Sequence, residues 1–193
     1  MKIKLFCNRT FIIAGCISVT VFITSDAGAI NTQIQTDSSF SGITALNVDA
    51  PGAGQVVTLS EIHGKTAGNN LFYSFSDFNI GETDTAWFNL NTPNLANVIS
   101  RVTGGSESLI DGQLKMTNTG GAPSFFLINS AGITFGSGAS VDVPGAFYTS
   151  TASTLNLEDG SEYSAHETGI STLSAANPES FGFLGNESGE INI

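Results

Sequence analysis

The chain alternates short apolar runs with Gly, Asn and other polar breaks, most densely over residues 94–152. The centre of that stretch reads Phe125-Phe126-Leu127-Ile128-Asn129-Ser130-Ala131-Gly132-Ile133-Thr134-Phe135-Gly136. Apolar runs this short, broken by Gly and Asn, predict strands joined by tight turns, and almost nothing in the pattern suits a helix. Expected strands cover 55–59, 71–75, 86–90, 97–102, 108–110, 113–116, 124–128, 133–135, 140–143 and 146–149, with a further strand ending in a turn at 78–82 and a Gly-Gly turn at 104–105. Within them inward apolar residues alternate with outward Ser, Thr and Asn, as a half-buried sheet requires. Residues 30–37 predict a lead-in strand or cap. Residues 158–164 read as an acidic, polar tail and Asn177-Pro178 as a loop. Strand character returns at 181–185, and an alternating strand begins at 190–193.

Turn residues recur roughly every 6 to 12 positions, a spacing that a sandwich or small barrel shares. Uneven strand lengths, and short Asn- or Gly-containing turns without a paired hairpin signature, favour a solenoid. One solenoid unit cannot bury its core alone, so coils must stack and the ends must be capped. Asn129 is placed to stack its side chain with an Asn of the next coil. A solenoid that stops within a coil exposes an unpaired edge, so the domain at 30–193 is expected to be truncated at its C-terminal end, as the front of a longer protein or a truncated gene product.

Composition narrows the class. Hydrophobic residues make up 40% of the 193, enough for a core, whereas charged residues make up only 12%, about half the usual share. With 22 Gly and six Lys plus Arg, this is the profile of an exported β-protein. The net charge of −11 argues against nucleic acid, whose phosphates call for Lys and Arg. Solubility alone accounts for such an acidic surface.

The first 29 residues read as an address. Lys2, Lys4 and Arg9 precede an apolar stretch at 11–23, too short for a comfortable membrane span. Ala27-Gly28-Ala29 supplies the small residues of a secretory cleavage site, so cleavage by way of the general secretion translocon is expected between Ala29 and Ile30. Ile13-Ala14-Gly15-Cys16 resembles a lipobox, but the apolar run continues past Cys16 and leaves too short a stretch before it. Both cysteines leave with the leader, so the mature chain has no disulfide. Lys65, Arg101 and Lys115 then face sixteen acids, a net charge of −13. A thiol-free chain suits passage through an oxidising periplasm.

From about residue 40 to 185 the chain carries a series of motifs in order. These are Ser74-Phe75-Ser76-Asp77-Phe78-Asn79-Ile80-Gly81-Glu82, Thr92-Pro93-Asn94-Leu95-Ala96-Asn97-Val98-Ile99-Ser100-Arg101-Val102-Thr103-Gly104-Gly105 and Ile110-Asp111-Gly112-Gln113-Leu114. Phe126-Leu127-Ile128-Asn129, Gly132-Ile133-Thr134-Phe135-Gly136, Val141-Asp142-Val143-Pro144-Gly145-Ala146-Phe147 and Ser150-Thr151-Ala152 follow. Together they resemble the two-partner secretion domain of filamentous haemagglutinin-type exoproteins, also called the haemagglutination activity N-terminal domain.

The resemblance implies an all-β fold: a right-handed parallel β-helix, a single-stranded solenoid with an N-terminal cap and small extra-helical hairpins. It implies secretion to the medium or cell surface of a Gram-negative bacterium via the periplasm. The partner would be an outer-membrane β-barrel transporter whose periplasmic polypeptide-transport modules read the domain. The family's two signature turns are Asn-Pro-Asn-Leu and Asn-Pro-Asn-Gly-Ile. Here the first is Thr92-Pro93-Asn94-Leu95, without its leading Asn. The second is Asn129-Ser130-Ala131-Gly132-Ile133, which keeps Asn and Gly-Ile and loses Pro-Asn. Pro93, Asn94, Leu95, Asn129, Gly132 and Ile133 are therefore the candidate recognition or motif-turn residues, although Asn94 and Asn129 also suit purely structural turns. Arg101 is expected to pair internally with an acid such as Asp111, and Phe125, Phe126, Phe135 and Phe147 to be core aromatics.

Two other classes are weighed. Polysaccharide-cleaving β-helices need clustered carboxylates, for which Asp142, Glu158, Asp159 and Glu162, with His166, are the candidates. No nucleophile elbow, paired-His metal motif or phosphate loop accompanies them, so neither catalysis nor a cofactor is expected. A stand-alone adhesin or carbohydrate-binding solenoid, taking host or surface glycans on its Ser/Thr/Asn face, is the alternative function.

Overall fold

The computed structural model describes residues 30–50, 54–166, 172–184 and 188–193. The leader, with Cys7, Cys16 and Ala29 of the cleavage site, lies outside the described residues. The chain is a parallel β-solenoid of about three turns. It enters through β1 (Thr32–Thr36) and β2 (Asn47–Ala50), passes β3 (Val56–Leu59), a 3₁₀ turn (Glu61–His63) and β4 (Lys65–Ala67), and crosses the molecule in β5 (Asn70–Asn79). The second turn is β6 (Thr85–Leu90), β7 (Asn97–Val102) and β8 (Ser108–Ile110). The third is β9 (Gln113–Asn118), β10 (Ser124–Asn129) and β11 (Ile133–Phe135). One more layer begins with β12 (Ser140–Asp142) and β13 (Phe147–Ser150). The chain then leaves for an antiparallel excursion of β14 (Thr154–Leu157), β15 (Glu162–Ser164) and β16 (Pro178–Gly182), and returns as β17 (Ile191–Asn192).

Three parallel ladders form the walls. One runs β3-β6-β9-β12, a second β5-β7-β10-β13, and a third β8-β11-β17. Asn70 pairs with Asn97, and Asn97 with Ser124, so the first two steps of the second wall take 27 residues each, and the step from Phe125 to Phe147 takes 22. Parallel in-register stacking places like on like. Leu71, Val98, Phe125 and Phe147 form one inner column, while Phe88 stands beside Met116 in the neighbouring wall. The rings interlock across the interior, Phe88 lying 4.8 Å from Phe125 and 5.2 Å from Tyr73, edge to face. Fully burying each such side chain contributes about 1.5–3 kcal/mol, so the interior column is the main source of stability.

The two ends differ. At the start, β1 runs antiparallel to both β5 and β2, putting Ile34 fully into the core with Leu46 and Val48 against it. This is the expected cap. At the far end, Phe135, Val141, Phe147 and Ile193 line an open apolar cavity of about 540 Å³.

Several local readings change. The strict in–out alternation fails at β7, where all six residues are buried. Its inner face meets the core, and its outer face is covered by the β14–β16 excursion. That excursion makes a second apolar cluster from Phe72, Ile99, Phe126 and Ile128 with Leu155, Leu157 and Tyr163. Phe126 thus belongs outside the solenoid, in contact with Tyr148 at 4.6 Å. The segment read as an acidic tail includes β15, and the loop at Asn177-Pro178 is the entry to β16. A two-residue hairpin through Gly68 and Asn69, with Gly68 at φ +55°, joins β4 to β5. It is a hairpin signature that the sequence reading passed over.

Candidate functional site

The first motif turn spans the corner between β6 and β7. Asn94 sits there at φ +58°, a left-handed conformation that Asn tolerates better than most residues. That twist reverses the chain, so Leu95 drops into the core at 4% exposure while Pro93 and Asn94 remain exposed. Glu61 anchors the corner from below. Its Oε1 accepts the Asn91 amide at 2.5 Å and the Thr92 hydroxyl at 2.9 Å. Burial pushes the Glu61 carboxyl up, but the Asn91 amide and Thr92 hydroxyl outweigh it and hold the group below its ordinary range. From above, Gly120 packs so closely that a Cβ there would lie 2.6 Å from Pro93 Cα, and Thr119 donates its hydroxyl to Asn91 Oδ1. The Pro93–Asn94 tip is a fixed, exposed knuckle.

The second motif turn lies at a different corner, between β10 and β11. Asn129 is 1% exposed. Its Nδ2 donates to Ser106 O and Ser108 Oγ, both at 2.9 Å, and its Oδ1 accepts the Ala131 amide at 3.0 Å. Its partners are serines of the preceding turn, in place of the Asn ladder expected for it. An amide pair of that kind exists elsewhere: Asn97 Nδ2 donates to Asn70 Oδ1 at 2.9 Å, and Asn70 Nδ2 donates to Ser174 O and Ala176 O. Gly132 takes φ +129°, where a side chain would be strained. Ile133 is fully buried and donates its amide to Glu190 O at 3.0 Å. Layers above and below thus enclose this turn.

The structure does not bring Arg101 and Asp111 together. Arg101 points out of β7, donating from Nε to Ser74 Oγ at 2.7 Å and from Nη1 to Ser164 O at 2.6 Å. Asp111 stands in the turn between β8 and β9 and accepts the Gly138 amide at 2.8 Å. The reason is alternation: residue 101 faces outward from the second wall, toward the excursion. Ile30, on the mature side of the expected cleavage, runs past Gly81, whose Cβ position lies 2.3 Å from Ile30 O. Thr32 beside it bonds Asp84 Oδ2 at 2.5 Å and accepts the Gly81 amide at 2.8 Å.

Of the carboxylates considered for catalysis, Glu158, Asp159 and Glu162 belong to the β14–β15 hairpin and Asp142 to a different sheet. Asp142 lies on β12. Glu158 accepts Asn177 Nδ2 at 3.1 Å, Asp159 accepts the Ser161 amide and the Ser174 hydroxyl, and His166 meets Ser153 Oγ at 3.1 Å. Those bonds shape the β14–β15 turn and its neighbouring loops. Among the described residues no group of three or more His, Cys, Asp and Glu is arranged to hold a metal ion.

Residues 44–193 match the family described as the TPS secretion domain. No curated protein matches the chain.

Proposed function

Since the chain belongs to the TPS secretion domain family, the module that directs two-partner exoproteins out of Gram-negative cells through an outer-membrane transporter, we propose that the transporter's periplasmic modules read the Pro93–Asn94 knuckle together with exposed backbone at the amino-terminal coils. The observation that carries this reading is the contrast in exposure. Pro93 and Asn94 face solvent on an anchored corner, whereas Asn129, Gly132 and Ile133 are buried. In the folded domain the first turn presents its tip to a partner, whereas the second offers little beyond a part-exposed Ala131. The second would act by completing the coil, so that its role in export is to let the helix fold outside the cell.

Strand addition supplies the binding energy. The amino-terminal side offers β2 at the end of its sheet and β3 at the end of another. Asn47, Asp49 and Val56 are exposed on those strands. Main-chain hydrogen bonds from a partner strand would give affinity, and the knuckle would give specificity. Once outside, the folded domain would nucleate β-helix folding.

The test is binding of purified residues 30–193 to the periplasmic modules of a co-encoded outer-membrane transporter, followed by calorimetry. Low-micromolar binding that weakens about tenfold in Asn94→Gly, roughly 1.4 kcal/mol, supports the reading. Absence of binding by a folded domain overturns it.

One observation favours a second reading, glycan binding. The outer face of the β3-β6-β9-β12 wall carries the single Trp of the chain, Trp87. Its Nε1 donates to Thr117 Oγ1 at 2.9 Å, with Lys115 Nζ 5.6 Å from its ring and Asn89 adjacent. Saccharide binding lost in Trp87→Ala, in a protein that ignores the transporter modules, would select that alternative.

A further inference from the structure

Arg101 is the largest fully buried side chain in the described structure, and its surroundings join three parts of the chain that are remote in sequence. Its Nε donates to Ser74 Oγ on β5 at 2.7 Å. The Ser74 hydroxyl in turn donates to Asp37 Oδ2 at 2.6 Å, just beyond β1, and Thr103 Oγ1 donates to the same oxygen at 2.7 Å. Its Nη1 donates to Ser164 O on β15 at 2.6 Å, and its guanidinium carbon stands 4.5 Å from the Tyr163 ring centroid. Tyr163 donates its hydroxyl to Tyr73 O at 2.8 Å, back on β5. The amino-terminal cap, the second wall of the solenoid and the excursion strand therefore meet at one cation.

A guanidinium removed from water is tolerated only when its hydrogen bonds are replaced. Arg101 leaves β7 on the side where Ile99 and Phe72 present apolar surface. Its partners include Ser74, which links it to the Asp37 carboxylate, the Ser164 carbonyl and the Tyr163 ring. Undocking β15 removes the last two and exposes the apolar outer surface of that wall. Ordinary solenoid units depend only on their neighbours and fold coil by coil.

We propose that Arg101 is an interlock that makes this domain fold as a single unit, in which the coils become stable only when the cap at Asp37 and the excursion strand at Tyr163–Ser164 are both docked. An emerging chain then stays unwound until residues near 165 are available, and folds in one step. This proposal concerns folding and stands or falls separately from transporter recognition.

The experiment is hydrogen exchange by mass spectrometry on the purified protein, together with urea unfolding followed by Trp87 fluorescence. In the wild type, peptides covering 32–39, 97–102 and 154–165 are expected to exchange through one common opening, coincident with the fluorescence transition. Arg101→Met is expected to speed exchange at both 32–39 and 154–165 by about tenfold relative to 97–102. Asp37→Asn, a milder change that keeps the shape of the side chain, is expected to speed exchange at 154–165 as well, although its own hydrogen bonds go to Ser74, Thr103 and Ser39. If Asp37→Asn alters only 32–39, or if Arg101→Met leaves both segments within about twofold of wild type, the interlock is overturned. Should Arg101→Met fail to fold, Asp37→Asn and Tyr163→Phe decide the matter by the same criterion.

Discussion

The two signature turns have related sequences and opposite situations. Thr92-Pro93-Asn94-Leu95 holds itself in shape with a left-handed Asn at φ +58° and a Glu61 anchor, and leaves its tip in solvent. Asn129-Ser130-Ala131-Gly132-Ile133 spends its Asn on three hydrogen bonds inside the stack, and Gly132 fits between Glu107 below and Glu190 above. Related motifs can therefore carry unlike roles. Both corners have a layer below and a layer above; at the first, Pro93 and Asn94 project past those layers into solvent, whereas at the second Asn129, Gly132 and Ile133 turn inward between them. The difference is one of which side chains the turn directs outward.

Asn129→Ala should be the most damaging change to either turn. It leaves Ser108 Oγ without its donor in a buried site, and the part-buried Ser106 O and Ala131 amide without their partner, which costs about 1–3 kcal/mol. Urea unfolding should show this as a lower midpoint with an unchanged slope, and any loss of export should scale with the lost stability. Normal stability with abolished transporter binding would break the comparison, because it would make Asn129 a contact.

Gly132→Ala comes next, at about 1–3 kcal/mol. It forces a side chain into φ +129° and brings a Cβ within 3.3 Å of Glu107 Cγ. A Glu107→Ala background should recover the steric part of this loss and leave the backbone part. Full recovery would show that the positive φ is immaterial.

Asn94→Gly should change stability by no more than about 0.5 kcal/mol, since Gly accepts the left-handed conformation, yet it removes the exposed amide. Unfolding midpoint and transporter binding, measured on the same protein, should therefore diverge for this variant and move together for Asn129→Ala.

The smallest effect sharpens the contrast through pH. His63 is 8% exposed beside the Glu61 anchor, and Nδ1 accepts the Ser60 amide at 3.1 Å, which requires that nitrogen unprotonated. Burial holds its pKa below the ordinary 6.5, so the unfolded chain binds the proton more tightly. Stability from this site is therefore full above about pH 6.5 and declines as pH falls below it. The carboxylates act in a separate window. Asp37 and Glu61 have lowered folded values, burial being outweighed by hydrogen bonds from Ser74, Ser39 and Thr103 for Asp37 and from Asn91 and Thr92 for Glu61. Their contribution is present above the ordinary values of 3.8 and 4.5 and is lost only as pH falls through the lower folded ones. His63→Gln should flatten the stability curve between pH 7 and 5 and leave the acid limb unchanged. An equal slope in the variant would remove His63 from the account.

Local pattern made much of the architecture legible. The predicted boundaries of β7, β8 and β11 coincide with the observed ones, because short β-branched and aromatic runs cut off by Gly or Asn leave the backbone little alternative. A lead-in strand or cap at 30–37 and an alternating strand at 190–193 are also expected from the chain, and the structure has β1 and β17 there. Strand identity, the stacked all-β class and the turn positions follow from short-range preference, and the ordered motifs identified the family.

Other features depend on contacts between residues far apart in the chain, which no local pattern encodes. β2, β14 and β15 are short and partly polar; β2 pairs with β1, while β14 pairs with β15 and β16 in a sheet of their own that packs on the outer face of the second wall. Arg101 looked like the partner of an acid close in sequence. The excursion that covers β7 gave it Tyr163 and Ser164, from a segment read as a solvated tail. The residue types at both motif turns were plain from the chain, but which of them a partner can reach was decided by how each turn directs its side chains relative to the stacked layers. Burial is set by the layer above and the layer below, and the chain supplies those layers from 20 or more residues away in either direction.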